Sequence, residues 1–270
     1  MKALAAYSTA LLLFLTACGG GSGSGGPRTF SESFSWISGN WQMTLSTTDA
    51  LGITKTKTQS GFLVVDKNGI TGNLLFTDIP CSQTGAVTGT VSDQQILLSV
   101  NGPGLSITMD GLPGSNFVSM SGDYTISTSP CGIVEVGTWK ASLVQPPAGN
   151  FQGIFVSNDN GLIFPVTAQI NQGPNTGASS ASLSGSLTVT GSPCLTTVNI
   201  SGLISGTSVV MNLLDSSGNQ VGSLAGVSNT IGTQLVDGTN AASSGNYQVL
   251  KQAPHTPCAT GDAGIATLTF

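Results

Sequence analysis

The stretch Leu105-Ser106-Ile107-Thr108-Met109-Asp110 alternates apolar and polar side chains residue by residue. A period of two places the apolar side chains on one face of a β-strand and the polar side chains on the other. Residues 166–171 repeat the pattern, with Val166, Ala168 and Ile170 on the apolar face. Because the chain beyond residue 17 has no convincing helical period, we predict an all-β protein.

Turn sequences separate these strands at short intervals. Asp66-Lys67-Asn68-Gly69 and Asn158-Asp159-Asn160-Gly161 are examples, and such residues supply the positive φ angles and local hydrogen bonds of hairpins. We predict about eight strands per half, centred near Met43, Leu63, Leu74, Val87, Leu97, Ile107, Tyr124 and Trp139, then near Ile154, Val166, Leu187, Val198, Val210, Leu224, Tyr247 and Leu268. Such strands are typical of a small up-and-down barrel or of a flattened sandwich, and both remain open.

An internal duplication divides the chain. Gly39-Asn40-Trp41-Gln42 returns as Gly149-Asn150-Phe151-Gln152, and Ser121-Gly122-Asp123-Tyr124 returns as Ser244-Gly245-Asn246-Tyr247. Further matches follow in the same order, which chance would not preserve. We therefore predict two homologous antiparallel domains over residues 36–145 and 149–270, joined by a linker over 146–148.

Five cysteines constrain the fold further. With Cys18 set aside, an even number remains in a chain predicted to be exported, which is typical of disulfides. Three pairings are open, and the duplication favours the one that gives each half its own bridge: Cys81 with Cys131, and Cys194 with Cys258. Metal binding is the alternative, but these cysteines are widely spaced and only His255 could help, so we predict no metal site.

The predicted bridges also limit the shape of a barrel. Cys81 and Cys131 would lie in loops at one end of a closed barrel, on opposite sides of its mouth. A disulfide needs Cα atoms within about 7 Å of each other. Either these loops fold across the end of the barrel, or each half is a flattened sandwich, and an open cup is the least compatible shape.

The N-terminus carries an export signal. Lys2 precedes an apolar run over residues 10–15, which is far shorter than the roughly 20 residues needed to span a bilayer. The following Leu15-Thr16-Ala17-Cys18 resembles the lipobox of bacterial lipoproteins. The resemblance implies that residues 1–17 are removed, that Cys18 carries a lipid anchor, and that residues 18–35 form a Gly/Ser-rich tether. An ordinary secretory signal is the alternative.

The lipoprotein resemblance also implies a location. Residue 19 is Gly19 rather than the aspartate associated with retention in the inner membrane. We therefore expect an exported protein of the cell envelope, with the outer membrane favoured. The membrane, reached through the lipid on Cys18, is then its first partner.

The start of the first domain offers a second resemblance. Gly39-Asn40-Trp41 resembles the Gly-x-Trp motif that begins the first strand of lipocalins, and it implies barrel geometry. The second half has Phe151 in place of the tryptophan. Trp41 and Trp139 would be neighbours in a closed sheet, either inside the core or as a stacking platform for a ligand.

The composition leaves few groups for acid–base chemistry. Charged residues make up 7% of the chain, and with 7 lysines and arginines we predict no nucleic-acid partner. We find no Gly-x-Ser-x-Gly nucleophile motif, and most aspartates, Asp262 among them, fit turns. Glu135 is expected on the solvent side of its strand, out of phase with Trp139. We therefore predict no enzymatic activity, no catalytic residue and no cofactor.

These observations favour a lipid-anchored protein of the cell envelope that acts as a non-catalytic binding or structural module. An envelope protein, a glycan or a lipid would be its ligand. One alternative is a carrier that holds a small apolar ligand inside a β-barrel. Another is a sixteen-stranded outer-membrane β-barrel, because Ala266-Thr267-Leu268-Thr269-Phe270 resembles the closing strand of such barrels.

Overall fold

The computed structural model describes residues 34–79, 82–92, 95–128, 132–228, 245–251 and 258–269, and the backbone of residues 234–236. Within these ranges the chain forms one short 3-10 helix (Ser35–Ile37) and two closed antiparallel barrels. Cys18, Cys81, Cys131 and His255 lie outside the described residues, as does the predicted export signal.

Barrel 1 closes through consecutive strands, each paired with the next. They are β1 (Gly39–Thr48), β2 (Thr54–Asp66), β3 (Gly69–Phe76), β4 (Thr84–Ser92), β5 (Gln95–Gly102), β6 (Leu105–Pro113), β7 (Ser119–Thr128) and β8 (Glu135–Val144). β1 pairs with β8 to complete the ring, with Met43 opposite Ala141.

Barrel 2 repeats this meander in the second half of the chain. Its strands are β9 (Gly149–Ser157), β10 (Ile163–Gln172), β11 (Ala181–Val189), β12 (Thr197–Ser205), β13 (Ser208–Leu214), β14 (Gln220–Val227), β16 (Asn246–Val249) and β17 (Asp262–Thr269), and β17 pairs with β9. A short additional strand, β15 (Gln234–Val236), pairs with the end of β17. β15 is not among the predicted strands.

The pairing confirms the predicted fold class. Every predicted strand centre falls in a different strand, and closure of both rings decides for barrels over sandwiches. The sixteen-stranded membrane barrel is wrong, because the strands close as two separate rings. Their inward rows are buried and apolar and their outward rows are mostly polar, as in β6, whereas a membrane barrel presents apolar residues to the lipid.

Apolar side chains fill both interiors, with a separate buried cluster in each barrel. Trp41 and Trp139 are both buried in barrel 1, so the core interpretation of these two rings is confirmed. Their indole N–H groups donate hydrogen bonds to the carbonyl oxygens of Ile37 (2.7 Å) and Asp110 (3.1 Å). Buried tryptophan is stable in a core when its N–H group has such a partner.

Loops and the 3-10 helix close the ends of the barrels. Ile37 and Ile79 enter the core of barrel 1 from its two ends. In barrel 2 a disulfide joins Cys194 to Cys258, with Cα atoms 5.2 Å apart, and Leu195 is buried beside it. This is the pair that the duplication favours in the second half. The loops therefore fold across the end of barrel 2, which is not an open cup.

One aromatic ring of barrel 1 enters the other end of barrel 2. Phe62 lies in β2 beside Leu63, which faces the interior of barrel 1, so successive side chains point to opposite faces. Phe62 thus points outward, yet it is only 1% exposed because it belongs to the buried cluster of barrel 2. Its backbone N–H group donates a hydrogen bond to the carbonyl oxygen of Ala178 (3.2 Å).

Polar contacts surround this ring and fix the two barrels against each other. They combine side-chain amides, hydroxyls and backbone carbonyls, so buried polar groups at the junction have partners. The bonds join Ser60 to Ser205 (2.8 Å), Asn73 to the carbonyl of Gly177 (2.9 Å) and Asn175 to the carbonyl of Leu63 (2.8 Å).

Replacing Phe62 by alanine should destabilise barrel 2 more than barrel 1. Loss of a buried phenylalanine lowers the free energy of unfolding by about 3–5 kcal/mol. All three tryptophans lie in or just before barrel 1, so their fluorescence reports barrel 1, whereas far-UV circular dichroism reports both barrels. In Phe62→Ala we expect the urea midpoint to fall further by circular dichroism than by fluorescence.

Leu203→Ala is the matched control, because its side chain is 55% exposed on the outer face of β12. It should change the free energy of unfolding by less than about 0.5 kcal/mol. Equal shifts in the two variants would contradict the role given to Phe62.

Candidate functional site

Each barrel holds one tyrosine bonded to one carboxylate. In barrel 1 the Tyr124 hydroxyl donates to Glu135, and Lys57 Nζ donates to both Glu135 oxygens at 2.6 Å. In barrel 2 the Tyr247 hydroxyl donates to Asp262 at 2.8 Å. The two tyrosines occupy matching positions of the duplicated motif, so the arrangement is a repeated feature.

The position of Glu135 corrects the sequence analysis. The expectation that it faces solvent out of phase with Trp139 is wrong, because residues four apart in a strand share a face. Glu135 lies on the inward side of β8, and its side chain is 14% exposed. Asp262 likewise begins β17 instead of serving only a turn. The repeated tyrosine was the available signal for both carboxylates.

The tyrosine rings pack over glycines of the neighbouring strand. A Cβ atom at Gly137 would lie 2.8 Å from Cε1 of Tyr124, and one at Gly264 would lie 2.8 Å from Cε1 of Tyr247. An aromatic ring laid over a strand glycine fills the space that the missing side chain leaves. The carboxylate then holds the hydroxyl in place by a hydrogen bond. Each pair therefore packs the barrel wall where the glycine lacks a side chain.

The protonation states fit this structural role. Burial raises the pKa of Tyr124 far above its usual range, and the hydrogen bond to Glu135 adds to the shift. Burial would also raise the pKa of Glu135, but hydrogen bonds from Lys57 and Tyr124 outweigh it and lower that pKa. At neutral pH the tyrosine is therefore the donor and the glutamate the ionised acceptor, and neither is near its titration point.

Gln59 is a buried polar residue inside barrel 1. It lies opposite Met43 and Phe76 on the neighbouring strands, and it is fully buried. Neither atom of its amide has a hydrogen-bond partner among the described residues. Because a buried unpaired amide destabilises a protein by about 1–3 kcal/mol, we expect Gln59 to lower the stability of barrel 1.

A groove of about 590 Å³ lies on the outer wall of barrel 1, across β4 to β7. We call it the wall groove. The strand registers align its side chains in two rows that cross all four strands. One row is Thr88, Ser99, Thr108 and Thr125, and the next is Thr90, Leu97, Asp110 and Asp123.

A row of regularly spaced hydroxyl groups crosses the wall groove, whose lining is otherwise mostly apolar. Neighbouring strands lie about 4.8 Å apart, so the four hydroxyl groups recur at that spacing. Each hydroxyl can donate and accept a hydrogen bond. Leu97, which is 43% exposed, adds a small apolar contact in the next row. The groove therefore offers both hydrogen-bonding groups and apolar surface to an extended ligand.

Two aspartates are paired across neighbouring strands in the second row. Asp110 and Asp123 are directly opposite on β6 and β7, and like charges so placed destabilise a sheet. Gln95 Nε2 donates to both oxygens of Asp110 at 3.1 Å, and Asp123 lines the groove beside it. A ligand that brings hydrogen-bond donors or a positive charge would relieve this repulsion.

The wall groove was not predicted from the sequence. Its residues occupy the polar positions of alternating strands, and such a pattern is typical of any solvent-exposed face of a sheet. The two rows exist only once the registers of four strands are known. The closely spaced threonines Thr88 and Thr90 were the only local signal.

Among the described residues, no three His, Cys, Asp or Glu side chains are grouped so that they could hold a metal ion. In the same part of the chain, no helix is both long enough and apolar enough to cross a membrane.

Comparison with known proteins assigns no family. No family model and no curated protein matches the chain. A solved protein of unknown function from the DUF3598 family of Nostoc punctiforme is 12% identical over 90% of this chain and 99% of that chain, with a TM-score of 0.21. A putative AttH from Nitrosomonas europaea is 10% identical over 91% and 97% of the two chains, with a TM-score of 0.22. Similarity at this level carries no function to this chain.

Glu135→Gln should change how stability depends on pH. A carboxyl with a lowered pKa in the folded state stabilises the fold above its unfolded pKa of about 4.3. That contribution is lost as the pH falls through the folded pKa. The variant also leaves Lys57 without its ionic partner, so we expect a loss of about 1–3 kcal/mol at neutral pH.

Chemical denaturation from neutral to acidic pH measures this effect. The wild-type and Glu135→Gln curves should converge as the pH falls, and Tyr124→Phe, which removes one donor but keeps the ring, should give an intermediate curve. A difference between wild type and Glu135→Gln that stays constant with pH would contradict the role of the ion pair.

Proposed function

We propose that this protein is a non-catalytic binding module of the cell envelope, tethered by lipid on Cys18, that binds a donor-rich glycan in the wall groove. The observation that carries the proposal is the pair of opposed carboxylates, Asp110 and Asp123, beside a row of hydroxyls on an outer wall. Sugar hydroxyls and amines are donors that such a surface accepts.

Because both barrel interiors are filled, we favour the outer wall, and not the interior, as the binding surface. A carrier of a small apolar ligand needs a cavity inside the barrel. Apolar side chains occupy that space in both barrels, and loops, the 3-10 helix and Phe62 cover the ends that the structure describes. The carrier alternative is therefore less favoured than the binding module.

The charge of the wall groove favours a glycan with amino groups. Among the described residues, Asp110 and Asp123 are the charged side chains that line it, and the whole chain has a net charge of −5. A protonated amine placed between two carboxylates gains from both, and the gain falls with salt because the site is open to solvent. Envelope proteins and lipids are the alternative ligands to such a glycan.

Asp123→Asn should weaken glycan binding while leaving the fold intact. Glucosamine oligomers are the probe, at mildly acidic pH and low salt, with N-acetylglucosamine oligomers as the uncharged comparison. Titration calorimetry should give affinity for the charged oligomer that falls with added salt and is about fivefold weaker in Asp123→Asn. The thermal midpoint should rise slightly, because a like-charge pair has been removed.

Asp159→Asn is the matched control, since it removes the same charge from a turn of barrel 2. It should leave the affinity unchanged. Equal binding by Asp123→Asn and wild type, or no binding of either oligomer by the wild type, would contradict the proposed ligand.

Cys18→Ala tests the tether separately. Two or three acyl chains on Cys18 would give stable membrane attachment, whereas one chain holds only marginally. The wild-type protein should therefore sediment with membranes and incorporate labelled fatty acid, and the variant should do neither. A variant that stays membrane-bound would contradict the lipid anchor without affecting the glycan result.

A further inference from the structure

The junction between the barrels contains a specific contact for a hairpin turn. Asn40 of β1 donates from Nδ2 to the carbonyl oxygen of Gly206 at 2.8 Å, and its Oδ1 accepts from the N–H group of the same glycine at 2.7 Å. Gly206 lies in the turn between β12 and β13 of barrel 2. One amide side chain thus binds both polar groups of one glycine, and both partners are buried.

Gln42 completes this contact at the next residue of the turn. Its Oε1 accepts hydrogen bonds from the N–H group of Thr207 at 3.0 Å and from the Thr207 hydroxyl at 3.3 Å. We call Asn40 and Gln42 the turn clamp. Together they recognise a glycine followed by a residue that has a hydroxyl group.

The clamp requires glycine for two reasons. Gly206 has a φ angle of +53°, which favours glycine at the first position of a two-residue hairpin turn. A Cβ atom on Gly206 would also lie 2.1 Å from Oε1 of Gln42 and 2.6 Å from Cβ of Ser60. The clamp therefore excludes any larger residue there.

The duplication places a second copy of the clamp on barrel 2. Asn150 and Gln152 occupy the positions of Asn40 and Gln42 in the repeated Gly-Asn-aromatic-Gln sequence. The strand registers agree, since Asn150 and Gln152 lie opposite Gln169 and Thr167, as Asn40 and Gln42 lie opposite Phe62 and Ser60. Both Asn150 and Gln152 are exposed and line a groove of about 250 Å³.

The second copy differs from the first at the apolar anchor. Gln169 of barrel 2 stands where barrel 1 has Phe62, and none of the described residues that line the groove is charged. The buried ring that makes the first contact permanent is therefore replaced by another amide. The second copy keeps the groups that recognise a turn, and its binding should be weaker and reversible.

We propose that Asn150 and Gln152 form a second turn clamp, which binds a β-hairpin of a partner protein whose turn contains glycine followed by threonine or serine. The chain's own Gly206–Thr207 turn is occupied by barrel 1, and the same holds in a second copy of the chain. A different β-protein therefore provides the hairpin. The inference rests on the proposed binding role but uses the other barrel and a neutral ligand.

A cyclic peptide that carries residues 203–210 of this chain is the probe, since it presents the turn seen at the first clamp. It is titrated into the full-length chain with amide nitrogens labelled, and the side-chain amide signals of Asn150 and Gln152 are followed by NMR. We expect saturable shifts of both signals. Asn150→Asp, which replaces the donor to the glycine carbonyl by a charged acceptor, should weaken binding by about tenfold.

Asn212→Asp is the matched control, because Asn212 is exposed on the outer face of β13, two strands beyond the last strand that lines the groove. It should bind the peptide like the wild type. The same peptide with alanine at the glycine position should not bind.

Several results would overturn the proposal. They are the absence of shifts, shifts that persist in Asn150→Asp, and shifts confined to Asn40 and Gln42, which would mean that the peptide displaces the internal turn. Self-association of the chain alone that Asn150→Asp abolishes would make a second copy the occupant. Because the glucosamine assay reads the wall groove of barrel 1, a failure here leaves that result standing, and the reverse is also true.

Discussion

The insertion of Phe62 into barrel 2 is the contact on which the arrangement of the whole molecule depends. An aromatic ring on the outer face of a strand is costly unless something covers it. Barrel 2 covers it almost completely, and the ring in turn closes the end of that barrel. Fixing this end fixes the turn at Gly206 against Asn40, and it decides which outer faces of the two barrels stay exposed.

The two halves show how few changes distinguish corresponding faces of a duplicated fold. Both barrels keep the closing tyrosine, the partner carboxylate and the Gly-Asn-aromatic-Gln sequence. The residue opposite the asparagine of this sequence differs between the halves. It is Phe62 in barrel 1 and Gln169 in barrel 2. The phenylalanine buries one face in the interface between the barrels, and the glutamine leaves the corresponding face exposed to solvent.

Much of the fold could be predicted because it depends on local patterning. Alternation located every barrel strand, and the duplication favoured the Cys194–Cys258 bridge. The apolar run Phe62-Leu63-Val64-Val65 interrupts the alternation, and such a run indicates a strand covered on both faces. This run was a local sequence signal for the junction between the two barrels. The pairing of Asp110 with Asp123 could not be predicted, because it depends on the register between β6 and β7, which sequence alone does not fix.

The low charge of the chain sharpens the meaning of the wall groove. Only 12 acidic residues occur in 270, and hydroxyls supply most of the outer polarity. Two of those acids stand opposite each other, where an additional threonine would avoid the repulsion. Local arrangements that lower stability without structural benefit are typical of functional sites. A solvent-exposed site of this kind binds weakly by itself. The proposed lipid tether would hold many copies on one surface and raise their effective concentration, so the proposed glycan would be bound far more tightly by several copies than by one.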